Sequence, residues 1–526
     1  MTKYIFVTGG VISGLGKGVT SASIGSILQM LGENNITIKK LDPYLNIDPG
    51  TMNPLEHGEV FVTDDGTETD LDLGYYERFL ELKTSRLNST SSGKLFKSLL
   101  EKERLGDFLG ETVQMIPHFT NLIKEFILSN EKEYDYIICE IGGSIGDIEA
   151  MAFYEAIRQL KNDVGIDNTL FIHLTYLVYY STTKELKTKP TQNAVKELQQ
   201  NGIFPDILIC RTEHPISDKI RKKLSLHVNL PIQNIIQAID VPSIYQIPSI
   251  FLQENVHNIL SEKFNINNKL LNTNKWTTLN NKISTLKKSI TIGILGKYVE
   301  LNDSYKSLLE SLFHAGLYHN HKINIQWINA RENITNTFNN VQGVIIPGGF
   351  GSTGIENIMN HIRILRLTKK PTLGICLGMQ LMVIEYFRSI SISPNAGSSE
   401  FEGYSPNIVS KLNNKNIENY GGTMRLGSHS IILMENTKVK DIYSKSITSE
   451  RHRHRYEVNS LYTSTLREGG MIVSGISEEN KCIEIIELEE KDHPWYIGCQ
   501  FHPEYNSSPF NPHPLFISFI QQCIHP

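Results

Sequence analysis

A short apolar strand that runs into a glycine-rich loop, a lysine and then a helix-forming stretch restricts the start of this chain more than any other feature. Residues 4–8 are followed by Gly9-Gly-Val-Ile-Ser-Gly-Leu-Gly-Lys-Gly18, and residues 19–31 have helical periodicity. Glycines let backbone N–H groups approach an anion, the helix N-terminus adds partial positive charge, and Lys17 adds a full charge. The strict phosphate-loop spacing is not met. Val11 replaces a glycine, and Gly18 stands where a magnesium-binding Ser or Thr would be. The plain alternative is an ordinary tight strand–helix turn.

The same alternation continues downstream. Residues 37–41, 136–140, 169–174 and 206–210 are short β-rich runs, each ending in polar residues. Strands spaced by helical patterns predict a doubly wound parallel sheet, with ligands gathered beyond the carboxyl ends of the strands. Glu140 and Arg211 are expected there. The pattern breaks into polar, Asn- and Lys-rich sequence near residues 265–289. Strands are expected again at 290–295, 343–346 and 372–375. The expected organisation is therefore an α/β fold of two doubly wound domains, 1–265 and 290–526, with a linker at 266–289.

Bulk properties narrow the function. The net charge of −5 over 526 residues implies no broad attraction to nucleic acid or anionic membrane, so phosphate binding must be local. No stretch reaches the ~18 consecutive apolar residues of a membrane helix. The first residues lead straight into the glycine loop and do not resemble a signal peptide. None of the six cysteines forms a CxxC pair, so neither structural zinc nor a disulfide framework is expected, and a reducing cytoplasm fits.

If no Ser or Thr holds Mg²⁺, carboxylates must, because Mg²⁺ takes hard oxygen ligands. The candidates are Asp72, in Thr69-Asp-Leu-Asp-Leu-Gly74, and Glu140. Each could instead be a helix cap or a solvated acid. Lys187-Thr-Lys-Pro-Thr-Gln192 packs two cations, two hydroxyls and an amide into six residues, with Pro190 stiffening the backbone. It suits a second triphosphate and a polar base edge, or is a solvated basic loop. Arg211 could stack on a base.

In the second half, Gly374-Ile-Cys-Leu-Gly378 fits a nucleophile elbow with Cys376 as nucleophile. The other five cysteines read as core residues. His502 and Glu504 lie two apart, so Glu504 can orient His502 and His502 can activate Cys376. Gly348-Gly-Phe-Gly351 offers N–H groups for an oxyanion hole, joined by Leu377. The run His452-Arg-His-Arg-Tyr-Glu457 otherwise reads as a solvated basic face.

Together, Lys40-Leu-Asp-Pro-Tyr44, Asn46-Ile-Asp-Pro-Gly-Thr-Met52, His57-Gly-Glu-Val-Phe-Val62, the Asp72 and Glu140 segments and Lys187–Gln192 resemble the CTP synthases. The second half resembles the class I glutamine amidotransferases, and the likeness spans nearly the whole chain. The resemblance implies that ATP phosphorylates O4 of UTP and that ammonia from glutamine displaces the phosphate. It implies Gly14, Leu15, Gly16, Lys17, Gly18 and Val19 on ATP phosphates, and Arg211, Asp240 and Val241 near adenine. Mg²⁺ falls to Asp72 and Glu140, and phosphoryl transfer to Lys40. The pyrimidine triphosphate falls to Ser13, Lys187, Thr188, Lys189, Pro190, Thr191, Gln192 and Lys223. CTP, as feedback inhibitor, falls to Asp147, Ile148 and Glu149. Glutamine falls to Gly349, Leu377, Gly378, Met379, Gln380, Glu400 and Arg455, and the ammonia path to Pro54, His57 and Val60. A cytoplasmic homotetramer activated by GTP is implied.

The chain departs from the family pattern at several places. The Leu177-Val178 pair lacks its following proline, Asn193 replaces a histidine, Met151-Ala-Phe-Tyr replaces Leu-Pro-Phe-Leu, and Leu105 replaces an arginine. None removes a catalytic group. Two rivals are a different ATP-dependent amidoligase fused to a glutaminase, and a non-catalytic scaffold. The pyrimidine segment argues against the first, and the intact Lys17, Asp72, Glu140, Cys376, His502 and Glu504 against the second.

Overall fold

The computed structural model describes residues 1–267, 271–331, 338–412 and 424–525. The chain divides into two compact units. One comprises residues 1–49 and 72–281, the other residues 50–71 and 282–526.

The first unit is built on a seven-stranded sheet in the order Ile235–Ile239, Ile207–Thr212, Thr169–Tyr176, Lys3–Gly9, Tyr136–Ile141, Ile36–Asp42, Ser89–Ser91. Every pairing is parallel. Strands Ile36–Asp42 and Tyr136–Ile141 are buried along their whole length. Burial on both faces is why these segments read as apolar runs and not as alternating patterns. Helix Lys17–Met30 packs against Asp72–Leu80 and Ile247–Gln253. Phe6, Ile137, Phe153, Ile157 and Phe171 belong to a separate core cluster. The five expected strands and the first helix are all present. The short strand Ser89–Ser91 and strand Ile235–Ile239 add to them.

The second unit carries a nine-stranded mixed sheet. His321–Asn329, Lys288–Gly296, Gly343–Ile346, Thr372–Ile375 and Tyr496–Cys499 run parallel. Ile483–Leu488, Met471–Ser477, Arg425–Leu433 and Ile447–His454 extend it antiparallel. Helices Lys306–Tyr318 and Pro514–Ile524 pack into one apolar cluster, and Ile355–Leu367 and Leu377–Ile390 into another.

The unit boundaries differ from the expected 1–265 and 290–526. Residues 50–71, early in the chain, pack with the C-terminal unit because their partners are there. Arg451 ion-pairs with Asp64, and Arg453 Nε lies 2.8 Å from Glu68 Oε1. Tyr505 donates to the Val60 carbonyl at 2.9 Å, and the Ser307 N–H to Glu59 at 2.7 Å. The expected linker 266–289 holds helix Asn274–Thr285, with Trp276 and Leu279 buried and Trp276 packed 5.3 Å from Phe79. Its residues 268–270 lie outside the described residues.

Candidate active sites

In the first unit, backbone register sets the polar cluster. Lys40 and Glu140 are register partners on adjacent parallel strands, both near their carboxyl ends. Lys40 Nζ donates to Glu140 Oε1 at 2.8 Å and to Asp72 Oδ2, and lies 3.7 Å from Asp42. The Tyr76 hydroxyl donates to the other Glu140 oxygen. Burial raises the Glu140 pKa and Asp72 raises it further, against the lowering by Lys40 and Tyr76. Lys17 donates to the Gly143 carbonyl, and burial followed by Lys40 lowers its pKa. Two carboxylates that repel each other and converge on one cation could hold Mg²⁺, a hard cation that takes oxygen ligands. Among the described residues no group of three or more His, Cys, Asp or Glu side chains could hold a metal alone.

The departure at Gly18 has a steric reason. A β-carbon on Gly18 would run into the Asp72 carboxylate. The hydroxyl of a strict phosphate loop is replaced in space by this carboxylate.

Arg211 closes over the loop. Its Nη1 donates to the Gly14 carbonyl at 3.0 Å and its Nε to Asp240 at 2.8 Å. With Leu15, Val19, Asp240 and Val241 it lines a cavity of about 120 Å³. The expected adenine and loop residues are thus brought together.

Lys187–Gln192 is not a loop. It crosses from strand Glu185–Lys187 into helix Lys189–Gln200, with Thr188 at the N-cap and Pro190 in the first turn. A helix N-terminus flanked by two lysines suits an anion. Gln192 donates to Thr188 Oγ1 at 3.0 Å, and Lys187 pairs with Glu185 at 2.5 Å. Ser13 and Lys223 are exposed, and no hydrogen bond ties either to this segment among the described residues. Asp147, Ile148 and Glu149 are exposed, and Asp147 accepts from the Ser144 N–H at 2.6 Å.

In the second unit, Cys376 sits at φ 53°, ψ −106°, between strand Thr372–Ile375 and helix Leu377–Ile390. A non-glycine residue held there is strained, as a nucleophile elbow requires. Its N–H donates to the Cys499 carbonyl at 2.7 Å. Its Sγ lies 3.7 Å from the Arg453 carbonyl and 3.7 Å from Gln500 Nε2. His502 Nδ1 is 2.8 Å from Glu504 Oε1, and its ring stacks on Tyr505 at 5.2 Å. His502 also interacts with the Cys376 side chain. Burial lowers the His502 pKa, but Glu504 and then Cys376 overcome it and push it up to about 10. A β-carbon on Gly348 would lie 2.9 Å from His502 Cε1, so glycine there lets the backbone come close.

Glu400 accepts from the Gly351 N–H at 2.8 Å. Burial raises its pKa, while that N–H, Lys297 and Arg455 lower it. Lys297 donates to the Phe350 carbonyl at 3.3 Å and to that of Gly351. Gly349 and Leu377 flank Cys376, and Gly378, Met379 and Gln380 form the first helical turn. A cavity of about 60 Å³ is lined by Cys376, His502, Gly348, Gly349, Pro54 and Val60. His57, exposed on the same short turn, is not part of this lining.

Tyr505, Arg453, Lys297 and Gln500 escaped the sequence reading. The run 452–457 is not a solvated basic face. Arg451, His452 and His454 are buried, and burial drives the pKa of both histidines down, that of His454 to about 3. Strand alternation was the signal available. It places Arg451 and Arg453 together on the side that meets residues 50–71. The other five cysteines are free thiols: Cys139, Cys210, Cys499 and Cys523 lie in the core as expected, whereas Cys482 is only half-buried, and burial raises the pKa of each.

Residues 3–266 match the model of the CTP synthase N-terminus, and residues 300–522 that of class I glutamine amidotransferases. The CTP synthase of Hydrogenobaculum sp. (strain Y04AAS1) is 51% identical over 524 residues, covering 99% of this chain and 98% of that protein. That of Pelagibacter ubique (strain HTCC1062) is 49% identical over 535 residues, covering 99% of each. That of Clostridium beijerinckii is 47% identical over 532 residues, covering 99% of this chain and 98% of that protein. With its phosphate-loop unit and its cysteine-elbow unit matched along almost the full length, the chain belongs to the CTP synthase family.

Proposed function

We propose that this protein converts UTP, ATP and glutamine to CTP, ADP, phosphate and glutamate in pyrimidine nucleotide synthesis. The observation that carries the reading is the Asp72–Lys40–Glu140 cluster beside a phosphate loop, on the same chain as a Cys376 elbow facing a Glu504-oriented His502.

In the second unit, Cys376 attacks the side-chain amide carbon of glutamine. N–H groups of the Gly348–Gly351 loop and of Leu377 receive the developing oxyanion. His502, which holds its proton at neutral pH, passes it to the departing nitrogen. Ammonia leaves, and water then cleaves the thioester to release glutamate and restore the thiol. Glu400 and Arg455 recognise the amino and carboxylate ends of glutamine, with Gly349 and Leu377–Gln380 around its side chain.

In the first unit, Gly14–Val19 hold the ATP phosphates, and Arg211, Asp240 and Val241 hold the adenine end. Ser13, Lys187–Gln192 and Lys223 hold UTP. The γ-phosphoryl group passes to O4 of UTP, and ammonia displaces it as phosphate. Lys17 and Lys40 place positive charge on the transferring group. Asp72 and Glu140 would hold Mg²⁺, which when bound neutralises charge on the phosphates.

Ammonia passes internally, because free ammonia becomes ammonium at neutral pH and loses its nucleophilicity. Pro54 and Val60, in the wall of the Cys376 cavity, support this route. Their segment continues along the chain directly into Asp72. The reading extends to CTP as feedback inhibitor at Asp147–Glu149, GTP as activator, a homotetramer and a cytoplasmic location. No helix among the described residues is long and apolar enough to cross a membrane. The test is CTP formation from UTP and ATP, with ammonia and with glutamine as alternative nitrogen sources. Activity with both supports the reading; activity with neither overturns it.

A further inference from the structure

Gln380 and Gln500 form a chain of two buried amides whose direction is set at one end. Gln380 Nε2 lies 2.8 Å from the Tyr456 carbonyl oxygen, which can only accept, so an N–H points there. The same nitrogen lies 3.1 Å from Gln500 Oε1. Donor meets acceptor only with the Gln500 amide in this orientation, and its Nε2–H group is then directed at Cys376 Sγ, 3.7 Å away. Gln500 is 0% exposed and Gln380 3%, so neither amide can turn to solvent instead. Backbone bonds hold the geometry. The Gln500 N–H donates to the Glu484 carbonyl at 2.8 Å, and the adjacent Cys499 carbonyl accepts from the Cys376 N–H at 2.7 Å.

The sulfur therefore meets two groups of opposite preference. The Arg453 carbonyl, also 3.7 Å away, can accept from a thiol S–H but repels a thiolate. The Gln500 N–H can donate to a thiolate and gains little from a thiol, whose sulfur is a weak acceptor. Loss of the thiol proton transfers the useful contact from Arg453 to Gln500. A hydrogen bond to the ionised form favours that form.

We propose that Gln500 is a positioning residue for the glutaminase half-reaction. Its amide N–H holds the Cys376 sulfur as the attacking thiolate, and Gln380 holds the Gln500 amide in the required sense. This rests on the reading of Cys376 as nucleophile.

The test uses the full-length chain and iodoacetamide as a probe of the thiolate. Alkylation of Cys376 is followed against pH by peptide mass, with Cys376→Ala as the blank for the five other thiols. In Gln500→Met, which keeps the volume and removes the N–H, alkylation at pH 7 falls about tenfold and its midpoint rises by about one pH unit. Glutamine-hydrolysis kcat falls in step while KM changes little. Gln500→Glu, which keeps the shape and sets a carboxylate against the sulfur, shows a larger shift in the same direction. It decides the matter if Gln500→Met does not fold. An alkylation profile within twofold of wild type in the folded variant overturns the proposal. Glutamine hydrolysis surviving in Cys376→Ala would instead overturn the nucleophile reading itself.

Discussion

The Asp72 carboxylate fills the space that a β-carbon on Gly18 would occupy. The phosphate loop and the carboxylate pair are thus one steric unit. Gly18→Ser, which would restore the common phosphate-loop residue, should lower CTP synthesis at least a hundredfold with either nitrogen source by displacing Asp72. Asp72→Ala and Glu140→Ala should abolish synthesis with both sources, while glutamine hydrolysis survives. Ammonia-dependent CTP formation near the wild-type rate in any of the three would refute the assignment.

Cys376→Ala should abolish glutamine-dependent synthesis and leave ammonia-dependent synthesis intact. Cys499→Ala should leave both near wild type, because that buried thiol donates to the Phe501 carbonyl at 3.6 Å and has no elbow. Steady-state rates with each nitrogen source decide. Loss of both activities in Cys376→Ala would contradict the division of labour.

The raised His502 pKa has a consequence for stability. A group whose folded pKa lies above its unfolded value stabilises the fold fully below the unfolded pKa, near 6.5. That contribution drains away as pH climbs toward about 10. Glu504→Gln removes the main raising influence, so the variant should lose less stability across this window than wild type. Thermal melts at pH 6, 8 and 9.5 should show the wild-type advantage shrinking by several degrees. A constant difference between the two proteins would show that Glu504 does not hold the proton on His502.

Val60 is buried in the wall of the Cys376 cavity, beside Pro54. Val60→Phe should uncouple the reactions: glutamine hydrolysis continues, glutamine-dependent CTP falls, and added ammonia supports more synthesis than glutamine does. The ratio of CTP to glutamate formed is the measurement. A ratio near wild type would exclude a route past this residue.

The first unit exposes Leu100 and Leu105 along one groove and Met115, Ile116 and Ile148 along another, the two sharing Leu45 and Phe96. Clustered exposed apolar side chains mark surfaces that a partner covers. With ATP and UTP present, light scattering should report a tetramer. A fully active monomer would refute the assembly.

Most of the parallel framework was legible because period and punctuation carry it. The run at 136–140 matches strand Tyr136–Ile141 to within one residue, and 372–375 coincides with the strand that leads into Cys376. What was not legible depends on partners distant in sequence. Residues 50–71 look like a continuation of the N-terminal half until Arg451 and Arg453, almost 400 residues later, are seen to hold Asp64 and Glu68. The antiparallel half of the second sheet hides its histidines for the same reason. His452 and His454 alternate inward on a strand whose charged residues suggest a surface. Gln500 carries no signal of its own, since an amide reveals its direction only through its neighbours.

The loan of residues 50–71 to the C-terminal unit makes this chain hard to cut. A fragment starting near residue 282 would keep Cys376, His502 and Glu504. It would also expose the buried Arg451 and half-buried Arg453 without their acidic partners and remove Pro54 and Val60 from one wall of the reaction chamber. Both guanidinium groups would lose the carboxylates that orient them. A severed glutaminase of this protein would therefore need the missing strip supplied as a separate peptide, and that peptide's affinity would measure how firmly residues 50–71 are held within the unit they join.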